Sequence, residues 1–326
     1  MDAVRFRPRR LGHVNFYVTD LQRSLAFYEH VCGLERVRIE AAINAGFLSN
    51  GNTHHDVGLI EVSRGADRIG RDGHVQIRST RGTRPGLNHL GWEMESQAEL
   101  VAAYARMVEA GLKPTALYDH IISHAVYVAD PDGNVHEFYA DSMKDWRSVF
   151  NLSHDDLVTS QWDPLAAAPS QARNYIEDPE IRRPSGSVLQ ASHLAGAVLR
   201  THDMDAMRRF FETVAGLDAV SEDRVAGRIV FAGRCGRPEL TLQRASDGEV
   251  AGFAQAALLL QEPVDMPAVM AALGRIGVHP AAAGRADDGV SLLLADPDGV
   301  AIEFRSPVAV PSIHPEPAST TTGLVH

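Results

Sequence analysis

Six side chains in the first 140 residues are of types, and at spacings, that could work together. His13 falls in LGHVNFYV (11–18) and His89 in LNHLGWEM (87–94), two runs whose alternation reads as strands. Glu137 follows the turn Asp130-Pro131-Asp132-Gly133, on the returning strand of a hairpin that also carries His120 and Tyr127. His54-His55 stand before a further apolar run, Asp56 to Val62. A carboxylate in an otherwise apolar strand is costly to bury alone, so Glu137 calls for a basic side chain or a metal ion. Two imidazoles and one carboxylate on one side of a metal leave the opposite side open, the donor set of non-haem Fe(II) oxygenases. With a divalent ion such a site carries one net positive charge. A singly deprotonated catechol could bind it through both oxygens while O2 takes a remaining position.

The elements that must position these residues follow from local signals. Asp20 is placed to cap a helix running through Cys32, with Leu21, Leu25 and Tyr28 at helical spacing and Gly33 beyond it. Phe47-Leu48, Asn50-Gly51 and Asp56 to Val62 read as strand, turn and strand, with His54 and His55 at the head of the second. Arg64 to Arg84 is polar and Gly-rich and reads as a loop. Gln97 to Ala110 is an amphipathic helix stopped by Gly111, and the hairpin follows. Within the run 11–18 the alternation puts His13 on one face with Leu11, Asn15 and Tyr17. His74, His136 and His154 are expected to be solvated.

This β-α-β-β-β unit is written twice before residue 140, and it returns from His193. Ala295-Asp296-Pro297-Asp298-Gly299 repeats Ala129-Asp130-Pro131-Asp132-Gly133 at an offset of 166 (295 − 129). By that offset Glu137 maps onto Glu303, His89 onto Gln255, Tyr127 onto Leu293 and His120 onto Ala286. His193 stands opposite His13, and the His54-His55 pair falls near Arg237-Pro238-Glu239. Histidines that merely packed the fold would have little reason to vanish from the second copy. The expected fold is α+β, four βαβββ modules in two domains. The expected divisions are a metal-bearing domain (1–144), a connector (145–188), a degenerate second domain (189–306) and a flexible tail (307–326).

The chain resembles the vicinal oxygen chelate superfamily and, within it, the type I extradiol ring-cleavage dioxygenases. The narrower motif is a His, a short spacer, an aliphatic-Tyr pair, an acid-Pro-x-Gly turn and a Glu. It stands here as His120, Val126-Tyr127, Asp130-Pro131-Asp132-Gly133 and Glu137, and His55-Asp56-Val57 matches the family's His-Asp step. The resemblance implies that His13, His89 and Glu137 are metal ligands and that His55 is an acid/base beside them. It implies that Tyr127 hydrogen-bonds a substrate oxygen and that His120 assists proton transfer. His54 competes with His55, and His124 with His120. Two departures stand: Tyr118 occupies a position usually small or polar, and the ligands lie in the N-terminal rather than the C-terminal half. The implied cofactor is Fe(II), with Mn(II) as second choice, and the implied partners are a catecholic substrate and O2, in a homo-oligomer.

Composition sets the outer bounds. The 326 residues are 44% hydrophobic and 22% charged, with room for two cored domains. A net charge of −11 argues against nucleic acid or an anionic membrane as partner. No apolar run reaches membrane-span length, and no apolar stretch follows the basic start MDAVRFRPRR, so no secretory signal is expected. Two cysteines, Cys32 and Cys235, make no disulfide framework, and a reducing, cytoplasmic setting is expected. Two other readings share the fold. A glyoxalase-like isomerase or lyase would use a metal without O2 and commonly a fourth protein ligand. A non-enzymatic small-molecule binder would have no need of the extra histidines and tyrosine.

Overall fold

The computed structural model describes residues 4–150, 159–286 and 289–306. The first module is β1 (Arg10–Val18), α1 (Leu21–His30), β2 (Arg36–Glu40), β3 (Ala45–Leu48) and β4 (Val57–Glu61). A small hairpin follows, β5 (Arg68–Ile69) and β6 (Val75–Ile77). The second module is β7 (Gly86–Glu93), α2 (Gln97–Glu109), β8 (Ala116–Asp119), β9 (Ser123–Ala129) and β10 (Val135–Asp141). α3 (Trp146–Phe150) and β11 (Ser160–Gln161) lie between the halves. The third module is β12 (Ala191–Thr201), α4 (Met204–Arg209), β13 (Asp218–Asp223), β14 (Arg228–Ala232) and β15 (Pro238–Arg244). The fourth is β16 (Gly252–Leu260), α5 (Met266–Arg275), β17 (Ala282–Ala286), β18 (Gly289–Ala295) and β19 (Ala301–Ser306).

These four βαβββ modules make two mixed sheets, as the repeat requires. One runs β11-β8-β9-β10-β7-β1-β4-β3-β2 and the other β13-β14-β15-β12-β16-β19-β18-β17. In each module the first strand pairs parallel with the last, and modules join antiparallel through their first strands, β1 to β7 and β12 to β16. Modules therefore pair in chain order. The helices start where short polar side chains can cap them: Asp20 accepts from the Arg23 amide and Ser96 from the Glu99 amide. Gly33, Gly111 and Gly216 follow the first three long helical stretches in the left-handed conformation that suits glycine.

Four expectations change. A β-bulge between Leu11 and His13 breaks the alternation of β1, so Leu11 joins Val14, Phe16 and Val18 in the core while Asn15 and Tyr17 line a cavity. The stretch 64–84 is not all loop, since β5 and β6 fold back on each other. The connector is tied to the first sheet, because β11 pairs with β8 as an added edge strand. His136 is fully buried: Trp92 Nε1 donates to its Nδ1, and its Nε2 donates to Asp130 of the turn at 3.1 Å. The expected tail, 307–326, and His154 lie outside the described residues.

Apolar residues of both halves form one continuous cluster, and polar contacts lock the halves together. Asn50, fully buried, donates to Gly33 O at 2.7 Å and Ala191 O at 2.6 Å and accepts from the Glu35 amide at 2.9 Å. The Asp296–Gly299 turn of the second half packs on α1, where Tyr28 donates to Asp296 and the Thr19 amide to Asp298. No helix among the described residues is long and apolar enough to cross a membrane. Replacing Asn50 by Ala strands three backbone partners at the junction of the halves. Asn50→Ala is expected to cost roughly 2–4 kcal/mol in urea unfolding. A loss below about 0.5 kcal/mol would show that water replaces these bonds freely.

Candidate metal centre and its cavity

The neighbouring strands β10, β7 and β1 bring three donor atoms to one point. On β7, Gly91 is the residue paired with both His13 and Glu137, and His89 lies two residues before it on the same face. His13 Nε2 stands 2.8 Å and His89 Nε2 2.9 Å from the same Glu137 oxygen, and the two nitrogens are 3.2 Å apart. Ligands at right angles around a metal with bonds of about 2.1 Å stand about 3.0 Å apart. The triangle therefore has the edges of one octahedral face, and its donors suit a first-row divalent ion. Gly91 makes this approach possible, since a Cβ there would lie 2.1 Å from His13 Nε2.

Burial and charge act against each other at the triangle. Burial opposes ionisation of Glu137, yet His13 and His89 together hold its carboxyl well below the usual range. Burial likewise pushes His13 down to about 4, against the pull of Glu137, so its imidazole is neutral and its lone pair can bind a metal. His89 Nδ1 donates to Asn88 Oδ1, which fixes the tautomer that leaves Nε2 as the ligand atom. His13 is held differently. Its ring stacks between His55 (4.1 Å between centroids) and Tyr139 (5.0 Å), and its Nδ1 has no hydrogen-bond partner among the described residues.

His54 and His55 close the loop ahead of β4 rather than opening the strand. His55 Nε2 donates to Asn15 Oδ1 at 3.0 Å, and burial, then His13 and His54, push its pKa well below the ordinary value. His54 is the opposite case. Burial lowers it, but the hydrogen bond to Asp141 at 3.2 Å outweighs that and raises it. One of the adjacent pair is thus neutral and the other favours its charged form. Tyr127 and His120 meet at 3.0 Å, and His120 Nε2 lies 3.7 Å from Glu137. Burial drives His120 down to about 4 and Tyr127 well above the ordinary phenol value, so one is neutral and the other protonated. His124 turns away: its Nδ1 meets Gln97 and Ser142, and its ring lies on Trp162.

The six side chains singled out from the sequence thus converge, with His55, His89, His120, Tyr127 and Glu137 lining one open cavity of about 1000 Å3 including its mouth. Four supporting residues were not foreseen. Asn15 and Gly91 carried a signal, since strand period puts them on the face of His13 and His89. Asn88 carried none, because strand neighbours point oppositely. Thr159 lies in the connector, yet it accepts from Gln76 Nε2 at 2.8 Å and bonds His120 Nδ1 at 2.9 Å. Its hydroxyl can give its hydrogen to His120 Nδ1, an arrangement that would place the His120 proton on Nε2, toward Tyr127.

Among its described residues the second half does not repeat this arrangement. There Glu303 accepts from Gln255 Nε2 at 2.8 Å, from Ser291 Oγ at 2.7 Å and from Arg305 at 2.9 Å. His193 sits in another cleft with Arg10 and Arg237.

Residues 10–138 match the profile of the Glyoxalase/Bleomycin resistance protein/Dioxygenase superfamily. The chain is 28% identical to the catechol-2,3-dioxygenase of Bacillus subtilis (strain 168) over 212 residues, 64% of this chain and 66% of that protein. It is 25% identical to biphenyl-2,3-diol 1,2-dioxygenase 3 of Rhodococcus globerulus over 164 residues, 49% of this chain and 80% of that one. The alignment to the Bacillus relative thus falls just short of two thirds of its length. Among solved structures, homoprotocatechuate 2,3-dioxygenase from Arthrobacter globiformis superposes with a TM-score of 0.63 at 18% identity, over 96% of this chain and 84% of that one. At that identity the likeness is one of fold.

Gly91→Ala tests the geometry without touching a donor. The added methyl must displace His13, whose ring is clamped on both faces. Calorimetric affinity for Zn(II) or anaerobic Fe(II) is expected to fall by at least about 10-fold with the circular dichroism spectrum unchanged. Wild-type affinity in this variant would mean that His13 does not need its observed place.

Proposed function

We propose that the chain, whose residues 10–138 match the Glyoxalase/Bleomycin resistance protein/Dioxygenase superfamily, is an extradiol dioxygenase opening a catechol-type ring with O2. The observation that carries this reading is the convergence of two imidazoles and one carboxylate at 2.8–3.2 Å in a cavity also lined by His55, His120 and Tyr127. His13, His89 and Glu137 would hold Fe(II), with Mn(II) second, which would supply Lewis acidity and a redox centre for the reaction of a diol with O2. The names of the two curated relatives support the same substrate class and reaction.

The chain's own groups have separable tasks. Tyr127, kept protonated by burial, accepts from His120 Nε2 and turns its own hydrogen toward Glu137 or a diol oxygen. His55 spends its Nε2–H on Asn15 and keeps a lone pair on Nδ1. A neutral imidazole in that state can take the proton a diol must lose on binding and return it later. His54, paired with Asp141, is already committed. That bond holds its ring in place rather than leaving it free to shuttle a proton.

The wild-type protein is expected to hold about one iron per chain and to consume a catechol and O2 together, giving a conjugated ring-opened product that absorbs in the near-ultraviolet or visible. His89→Ala and Glu137→Ala should lose both iron and turnover. Full iron occupancy in His89→Ala would sink the ligand assignment, and turnover of a diol under strict anaerobiosis would move the protein to the isomerase reading. His55→Ala should keep its iron and bind catechol with little loss, while kcat drops by roughly 10²–10⁴. Iron loss in that variant would make His55 a ligand instead.

A further inference from the structure

β2 forms the edge of the first sheet, three strands from β1, about 14 Å along the sheet at the usual strand spacing. Its alternation turns Ile39 into the core and Arg38 and Glu40 toward the cavity that holds the metal-site residues. Glu40 is 6% exposed, and neither of its oxygens has a hydrogen-bond or ion-pair partner among the described residues; Oε1 is sealed from solvent. Every other buried carboxylate among the described residues has a donor. Glu93 has Arg9 and Arg10, Glu61 the Leu21 amide, Asp56 Ser49 and Asn52, Asp130 the Asn134 amide, Glu239 the Leu11 amide and Asp296 the Val300 amide. Glu137 has the two imidazoles.

A buried polar group without a partner calls for one. Since Glu40 faces the cavity, the missing partner can arrive with a ligand. Resting on the dioxygenase reading above, we propose that Glu40 binds a hydrogen-bond-donating group, a hydroxyl or an amine, at the end of the substrate remote from its diol. The substrate class is then a catechol with a polar, donor-tipped substituent rather than a bare alkyl or aryl one. Burial, opposed by Arg38, raises the Glu40 carboxyl to about 7, which leaves it able to accept from either kind of donor near neutrality. Arg38 offers a rival chemistry, because a guanidinium would favour a carboxylate-tipped substrate.

The test is anaerobic calorimetric binding to the Fe(II)-loaded protein, backed by O2 uptake. The ligands are catechols with arms of increasing length, ending in hydroxyl, amine, methyl or carboxylate. Wild-type protein should bind the best hydroxyl- or amine-tipped ligand roughly 10–100-fold tighter than its methyl-tipped counterpart. Glu40→Leu should collapse that ratio to below about 3-fold, and Glu40→Gln should keep part of it for the hydroxyl. Glu40→Leu should also unfold at a higher temperature, because it removes a buried carboxyl that the empty cavity leaves unpaired. Equal binding of donor- and methyl-tipped ligands, an unchanged ratio in Glu40→Leu, or a Glu40→Leu protein less stable than wild type would each overturn the proposal. Tightest binding of the carboxylate-tipped series would overturn it in favour of Arg38. Absence of turnover with the donor preference intact would reject the dioxygenase reading alone.

Discussion

His13 and Glu137 approach each other across β7, and their 2.8 Å contact exists because the residue between them has no side chain. Strand pairing on both sides of Gly91 fixes the two backbones, so only the side chains are left to adjust. His89, two residues along, then falls on the same face with no further requirement. A one-residue slip of β1 or β10 against β7 would turn its ligand to the other side of the sheet. The bulge at Gly12 enforces this register: it sends Leu11 into the core, and a Cβ at Gly12 would lie 2.0 Å from the Tyr139 hydroxyl. Two glycines thus do what a longer constellation of contacts would do less tightly.

The equivalent position in the second half shows another way of balancing a half-buried strand carboxylate. Glu303 keeps the position of Glu137 but takes donors from Gln255, Ser291 and Arg305, a closed set that leaves no acceptor for an ion. Arg305 supplies the positive charge that burial demands. Among the described residues no arginine or lysine pairs with Glu137, and the positive partner has to be two imidazoles or an ion they share. The contrast between the copies is therefore a contrast in how one charge is balanced, within one fold.

Much of this was legible in the sequence because it rests on short-range pattern. The βαβββ modules follow from alternation, caps and the repeated Asp-Pro-Asp-Gly turn, and the histidine-rich cluster around Glu137 stands out when the copies are compared. What could not be read rests on contacts with no local period. Leu11 changes face because of a bulge, His136 is buried because the turn's own Asp130 accepts from it, and Thr159 reaches His120 from the connector. Glu40 belongs with these, since an edge strand's alternating charges read as solvated until the sheet curls over them.

The half without a triad still bears on the site. Asp56, next in sequence to His55, is fully buried and accepts from Ser49, from Asn52 and from the Leu194 amide of β12, which belongs to the other sheet. Asn52 in turn accepts from Arg10, whose guanidinium also binds Glu93. The loop carrying His54 and His55 is thus pinned at its end by the second half and along its length by a buried ionic network. Leu11, on the flank of His13, has its amide bound to Glu239 of the second half. The second half's backbone and carboxylates hold the loop and strand on which the first half's histidines stand. The second half can thus shape the candidate site by fixing the angle at which the first half's side chains meet.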